Sequence, residues 1–186
     1  GLDLVNSQRI VHSLFTEEFL PLDSPKKLTV SACSVDKAMD LNQLWHSLLP
    51  NTNKSNLIRN KYSVCYAAYF NNIYYGVAIW TSPVARSLPQ NILELRRLAL
   101  SEDCPKNSAS YFIGKMTKKI KKDFKEVKKL ISYQDMSKHC GTIYKASNWY
   151  IDGHVLGNRD WSDSRKRNKT QTKANKIRWS YDLEGK

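Results

Sequence analysis

Apolar residues recur along this chain with two periods, and the switching between them predicts the order of its elements. Leu2–Leu20 carries Val5, Ile10, Val11, Leu14, Phe15 and Phe19, which predicts a helix ending near Pro21. Lys26–Cys33 (KKLTVSAC) alternates and predicts a first strand. Ser34 then caps a helix over Val35–Trp45, with Ala38, Leu41, Leu44 and Trp45 on one face, and Leu48-Leu49-Pro50 ends it. The polar stretch Asn51–Asn60 reads as a loop. Tyr62–Phe70 and Ile73–Thr81 are aromatic and β-branched runs joined by Asn71-Asn72. Asparagine tolerates positive φ, so the pair predicts a hairpin. Pro83 ends the second run, and Arg86–Gln90 is another loop. Ile92–Leu100 (ILELRRLAL) predicts a third neighbouring strand whose alternation sets Arg96 and Arg97 on opposite faces. A helix follows over about Ser108–Phe124, with Phe112, Ile113, Met116, Ile120 and Phe124 as its buried stripe. Leu130-Ile131 starts a buried strand that turns polar at Tyr133, Gln134 and Asp135. Beyond the break at Lys138–Gly141, Thr142–Ala146 reads as a helix turn or two, closed by Asn148-Trp149. After Asp152-Gly153 the pattern is irregular until a last strand, Lys176–Leu183.

Strand, helix, three meander strands, helix, strand, short helix and final strand make an α/β chain with a mixed central sheet and flanking helices. At 186 residues it reads as one domain, 1–186, with 1–25 as an N-terminal helical extension and 154–186 as a basic C-terminal segment.

Charge changes the picture more than length does. Lys and Arg total 30 against 17 Asp and Glu, a formal charge of +13 with a pI of about 9.6. Such an excess points to a polyanionic partner. The cations gather on the long helix (Lys115, Lys118, Lys119, Lys121, Lys122, Lys125) and in the C-terminal segment. There Arg165, Lys166, Arg167, Lys169, Lys173, Lys176 and Arg178 interleave with Trp161 and Trp179, a pattern suited to nucleic acid or, more plainly, to a solvated surface. No run approaches a transmembrane length and no signal peptide is visible, so the expected location is cytoplasmic and no membrane partner is expected. The chain begins Gly1-Leu2, without Met, and a preceding segment stays open. Cys33, Cys65, Cys104 and Cys140 form no CxxC pair and read as free thiols.

Candidate chemistry collects beyond the strand that begins at Leu130, because ligands of open α/β sheets bind outside the carboxyl ends of strands. Asp135 is either a general base or a cap for the next helix. Tyr133 and Tyr144 are either core aromatics or contacts to a ligand. His46, at a helix end, either caps carbonyls or serves the site. With His139 and Asp135 it would make a set able to hold a divalent metal. Arg97 needs a charge partner if it points inward: Glu94, or an anionic ligand. There is no P-loop, GxGxxG, GxSxG or HExxH.

The element order resembles the GNAT acyltransferase fold, in which two central strands splay and the gap holds an acyl donor. The family's glycine-rich pyrophosphate loop corresponds to Pro105-Lys106-Asn107-Ser108-Ala109-Ser110, which has no glycine. Asn107, Ser108, Ser110 and Arg97 are the donor-contact candidates, with plain helix capping the alternative for the serines. In detail the chain resembles the Mom family of phage DNA-modification proteins, themselves GNAT-like. The matching segments are Trp45-His46-Ser47, Gly76-Val77, Glu94-Leu95 with Arg97-Leu98, and Pro105–Ser110. The strongest is Ser132–Asp135, then His139, then Gly141–Trp149. The family usually has a small residue where Gln134 stands.

That resemblance implies a transferase that adds a small glycine-derived group to the exocyclic amine of adenine in DNA and so shields phage DNA from restriction. It implies Asp135, Tyr144, Tyr133 and His46 as the catalytic set. An adenine amine is a poor nucleophile, so Asp135 would take its proton as it attacks a carbonyl. Tyr133 and Tyr144 would stack on or bond a flipped base, or Tyr144 would protonate a leaving group. The donor is open between an acyl-coenzyme A and an aminoacyl-tRNA; the missing glycine loop and the basic charge tilt the expectation toward a tRNA-borne glycyl group, which makes DNA, and tRNA as donor, the expected partners. The rivals are an ordinary GNAT N-acyltransferase on a small amine or protein, and a non-catalytic nucleic-acid-binding module.

Overall fold

A computed structural model describes residues 20–45, 63–83, 85, 87–135, 141–155 and 176–184. The helix expected over Leu2–Leu20, the loop Asn51–Asn60, His46, His139, Cys140, and Arg165, Lys166, Arg167, Lys169 and Lys173 lie outside the described residues, as does the side chain of Asp135.

Seven strands form one mixed sheet: β1 (Thr29–Ala32), β2 (Ser63–Phe70), β3 (Ile73–Thr81), β4 (Ile92–Leu100), β5 (Lys129–Asp135), β6 (Tyr150–Val155) and β7 (Lys176–Asp182), in the spatial order β1-β2-β3-β4-β5-β7-β6. Among the described residues three α-helices accompany them: α1 (Val35–Trp45), α2 (Ser108–Asp123) and α3 (Thr142–Ala146). The hairpin forms as its asparagines require: Asn71 and Asn72 both take positive φ, 53° and 63°, which matches the twist of the paired strands. Ser34 Oγ accepts from the Lys37 amide at 3.1 Å and so starts α1.

The two helical faces divide the core. On one side α1 lays Ala38 and Leu41 over Cys65, Ala67, Val77, Ile79 and Ala99. On the other, Phe112, Ile113, Met116 and Ile120 of α2, all fully buried, pack on Tyr66, Ala78, Trp80, Leu93, Leu95 and Leu130. Trp80 is enclosed entirely, and its indole Nε1–H donates to Met116 Sδ at 3.2 Å. Burial pushes the Cys33 thiol up to about 11 and the Cys65 thiol up to about 12, so both stay protonated and serve packing.

Three expectations need correction. The segment expected as a strand from Lys26 first makes a 3-10 turn, Pro25–Lys27, because Ser24 caps the Lys26 amide and proline presets the turn. The strand starts at Thr29. The alternation assumed through Arg96 and Arg97 is broken: Ile79 pairs with Arg97 but Trp80 with Leu95, so Arg96 is the extra residue of a bulge. Finally, Tyr150–Val155 is a strand. Asp152 and Gly153 depress its β propensity, and as an edge strand with no buried residue it shows no alternating pattern to read. Hence β7 is internal, between β5 and β6, and the sheet ends on β6.

A polar cluster joins the last three strands. Asp152 Oδ2 accepts from Ser180 Oγ at 2.8 Å and from Lys129 Nζ at 3.2 Å, and lies 3.4 Å from Arg178 Nη2. Burial alone would raise the Asp152 carboxyl. The hydrogen bonds from Ser180 and Lys129, with the charges of Lys129 and Arg178, outweigh it and hold the group below its ordinary range. A depressed carboxylate contributes stability above its unfolded pKa, and that contribution is lost as pH falls through the folded value. We therefore expect Asp152→Asn to cost about 1–3 kcal/mol in urea unfolding above about pH 5. The gap between the two proteins should close below the ordinary aspartate pKa of about 4. A pH-independent gap would assign the loss to packing instead of charge.

Candidate active site

The parallel pair at the centre of the sheet comes apart. β4 and β5 pair from Ile92↔Lys129 to Leu95↔Ser132 and no further. Beyond that point β4 stays with β3 through Leu100, and β5 stays with β7 through Asp135. The bulge at Arg96 follows the last shared pair immediately, and a bulged strand bends. The result is a fork at the carboxyl ends of two parallel strands, the place where open α/β sheets hold ligands.

The fork has two chemically different sides. Ser132 and Gln134 of β5 turn toward the α2 side. Ser132 Oγ and Tyr144 Oη are 2.7 Å apart, both buried. Gln134 Oε1 accepts from Trp179 Nε1 at 2.8 Å. The ring of Tyr144 stacks on Trp179 at 5.7 Å and meets Trp149 at 5.5 Å. Burial raises the Tyr144 hydroxyl above its ordinary range against the bond to Ser132, so it stays protonated near neutrality. Tyr144 thus stands as a core aromatic that keeps a hydroxyl at the fork.

Tyr133, by strand alternation, belongs to the opposite face, which α1 covers over β2, β3 and β4. Tyr133 is half-buried and lies across from Arg178; Asp135 ends β5 across from Lys176. Glu94 is on this face also, buried, with its Oε2 3.6 Å from Arg96 Nε. Arg97 Nη1 donates to the Arg96 carbonyl at 2.8 Å. Burial and the neighbouring Arg96 lower the Arg97 guanidinium below its ordinary value, with Glu94 acting the other way. Of the two partners weighed for Arg97, Glu94 acts on its guanidinium through charge and also pairs with Arg96.

The start of α2 is the third part. No glycine precedes it, yet Asn107 takes the left-handed conformation a glycine would supply, φ 71°. Ser108 Oγ donates to the Pro105 carbonyl at 2.7 Å and Ser110 Oγ to the Asn107 carbonyl at 3.1 Å, so neither hydroxyl caps an amide. The backbone amides of Ala109 and Ser110 meet no acceptor among the described residues, which leaves this turn able to receive an anion. Lys118, Lys121 and Lys122 are exposed along the same helix, and Lys125 in the turn just after it. No helix among the described residues is long and apolar enough to cross a membrane. Among them no group of three His, Cys, Asp or Glu could hold a metal. A cavity of about 430 Å³ lined by Ile92, Lys128, Lys129, Asp182 and Glu184 opens at the amino ends of β4 and β5, away from the fork.

A model of the Mom protein family matches residues 27–182. The chain belongs to the Mom family. Comparison with curated proteins gives no match. Solved structures place the Mom-family fold among GNAT acetyltransferases. An acetyltransferase of Bacillus subtilis in complex with CoA has a TM-score of 0.58 at 16% identity over 84% of this chain and 99% of its own. The ribosomal-protein-S18-alanine N-acetyltransferase of Escherichia coli has 0.59 at 13%, over 84% and 94%. A GNAT family acetyltransferase of Elizabethkingia anophelis with acetyl-CoA bound has 0.55 at 16%, over 84% and 98%.

Sequence reasoning singled out Tyr133, Asp135 and Tyr144 but missed Ser132 and the Gln134–Trp179 bond. The small residue usual in the family at position 134 was the available signal, since a long side chain there needs a partner. Gly141 closes this contact: it has φ 65°, and a Cβ on it would stand 2.6 Å from Gln134 Oε1. Gly141→Ala should cost about 1–2 kcal/mol for the left-handed backbone and about 1 kcal/mol more as Gln134 leaves Trp179. Chemical denaturation of Gly141→Ala, Gln134→Ala and the double variant checks this. The double variant should be more stable than the sum of the two losses predicts, because removing Gln134 removes the nearer clash, although Trp179 Cζ2 at 2.9 Å remains. Strict additivity would mean that the two side chains do not meet.

Proposed function

We propose that this Mom-family protein transfers a small glycine-derived group to the exocyclic amine of adenine in DNA, protecting that DNA from restriction. The family match over 27–182 carries the reading. The fork supports it, because the family's matching segments Ser132–Asp135 and Gly141–Trp149 form its β5 side. Asp135, at the end of β5, takes the proton from the attacking amine. Tyr133, half-buried on the α1 side, receives the extruded base. Tyr144, its ring enclosed by Trp149 and Trp179, offers its hydroxyl as the proton donor to the leaving group.

For the donor we favour acyl-coenzyme A over aminoacyl-tRNA. Asn107 restores the turn that the missing glycine left in doubt, the amides of Ala109 and Ser110 fit a pyrophosphate, and two of the structural relatives were solved with CoA or acetyl-CoA. When bound, the donor supplies an acyl carbon activated as a thioester. The exposed lysines of α2 and the basic segment around Arg165, Lys166 and Arg167 supply charge for a polyanion.

Nucleosides from DNA of cells expressing the protein should contain a modified adenine seen by mass spectrometry. Asp135→Asn should lower its rate of formation by about two to four orders of magnitude with an unchanged thermal midpoint. Acetyl-coenzyme A should raise the thermal midpoint of both proteins. Unmodified DNA from the wild type, with a small amine or protein acylated instead, would make this an ordinary GNAT enzyme.

A further inference from the structure

Arg178 reads in the sequence as one more cation of a basic segment, but in the structure it is an internal strand residue directly across from Tyr133. Ile177, Trp179 and Tyr181 turn toward the α2 core, so Arg178 projects from the other face, the face of Tyr133. Its guanidinium is seated from two sides. Nη2 lies 3.4 Å from Asp152 Oδ2 and donates to the Asp152 carbonyl at 3.3 Å. Below it is the bare backbone of Gly153, where a Cβ would approach Nη2 to 3.4 Å.

Arg178 does not have its carboxylate to itself. Asp152 is shared by Arg178 and Lys129, while Lys129 also faces Asp182 across the strand pair. Arg178 Nε–H is buried and has no acceptor among the described residues, so the protein does not fully satisfy the guanidinium, and a ligand meets the part of the side chain that stays exposed. The side chain keeps 27% exposure, enough to meet a ligand edge. Lys176, across from Asp135, adds a cation at the neighbouring register position. A planar, partly desolvated guanidinium on a rigid strand suits the oxygens of a phosphate better than a solvated lysine does.

We propose that Arg178, seated by Asp152 and Gly153, binds the phosphodiester beside the nucleotide that Tyr133 receives. This rests on the nucleic-acid reading above and names a contact within it. A base drawn out of a duplex swings about its own backbone, so a fixed phosphate next to the aromatic wall sets where it lands. Arg178 then positions the nucleotide and takes no part in proton transfer.

The probe is a labelled duplex with one adenine set opposite an abasic position, which lowers the cost of extrusion. Anisotropy titrations compare native phosphates with neutral methylphosphonates on both sides of that adenine. For the wild type the neutral linkages should weaken binding about tenfold. Arg178→Gln should weaken binding to the native duplex by a similar factor and lower the salt slope by about 0.9. The two losses should not multiply: Arg178→Gln should bind the native and neutral duplexes alike. If Arg178→Gln loses its fold by thermal melting, Arg178→Met, which removes the charge and keeps an unbranched side chain, carries the same cycle. Independent, multiplying losses would overturn the phosphate contact and leave DNA binding intact. A wild type that binds no duplex at low salt would overturn the nucleic-acid reading, and the contact with it.

Discussion

The last shared pair of β4 and β5, Leu95 with Ser132, governs the architecture of the site. Two parallel strands that stop pairing leave backbone groups facing a gap, and such groups must be satisfied by some other partner. The bulge at Arg96 makes the divergence possible, because it bends β4 while its pairing with β3 continues to Leu100. β5 cannot follow β4, since it pairs with β7 along its whole length. Each half of the sheet is thus pinned to its own neighbours, and the fork between them is a property of the fold that no single side chain opens.

Aromatic packing seals one side of that fork. Tyr144 meets Trp149 at 5.5 Å and Trp179 at 5.7 Å, and Trp149 meets Tyr181 at 6.0 Å and Trp80 at 6.4 Å. This packing ties the short helix α3 to β7 and through Trp80 to β3. A helix of five residues has no stability of its own, so its position comes from these rings and from the glycine at 141. The Tyr144 hydroxyl is held at the base of the fork by the same packing that buries its ring.

The opposite side is polar and ordered by charge. Glu94 with Arg96, and Asp152 with Lys129 and Arg178, are half-buried pairings in which each cation has a structural reason for its place. Partial desolvation makes such charges stronger partners for an incoming anion than the fully solvated lysines of α2. A polyanion can therefore be attracted by the lysine-rich surface and registered by the arginines of the sheet.

Much of this was legible in the sequence. Helical and strand periods located α1, β2, β3, β4 and α2, since each buries a continuous face and so carries its period in its residues. Asn71-Asn72 declared the hairpin, and Tyr133, Asp135 and Tyr144 stood out as candidates because ordered polar residues after a buried strand mark a sheet's carboxyl edge. Other features were decided only by the tertiary structure. β6 shows no period because it buries no face, and its pairing with β7 depends on chain far from it in sequence. The bulge at Arg96 is a matter of register between two strands. The seat of Arg178 needs Asp152 and Gly153, some 25 residues away, and composition counted that arginine only as charge. Local periodicity records which face of an element is buried; which elements meet, and so which charges are held and which are shared, is set by long-range pairing that no local pattern carries.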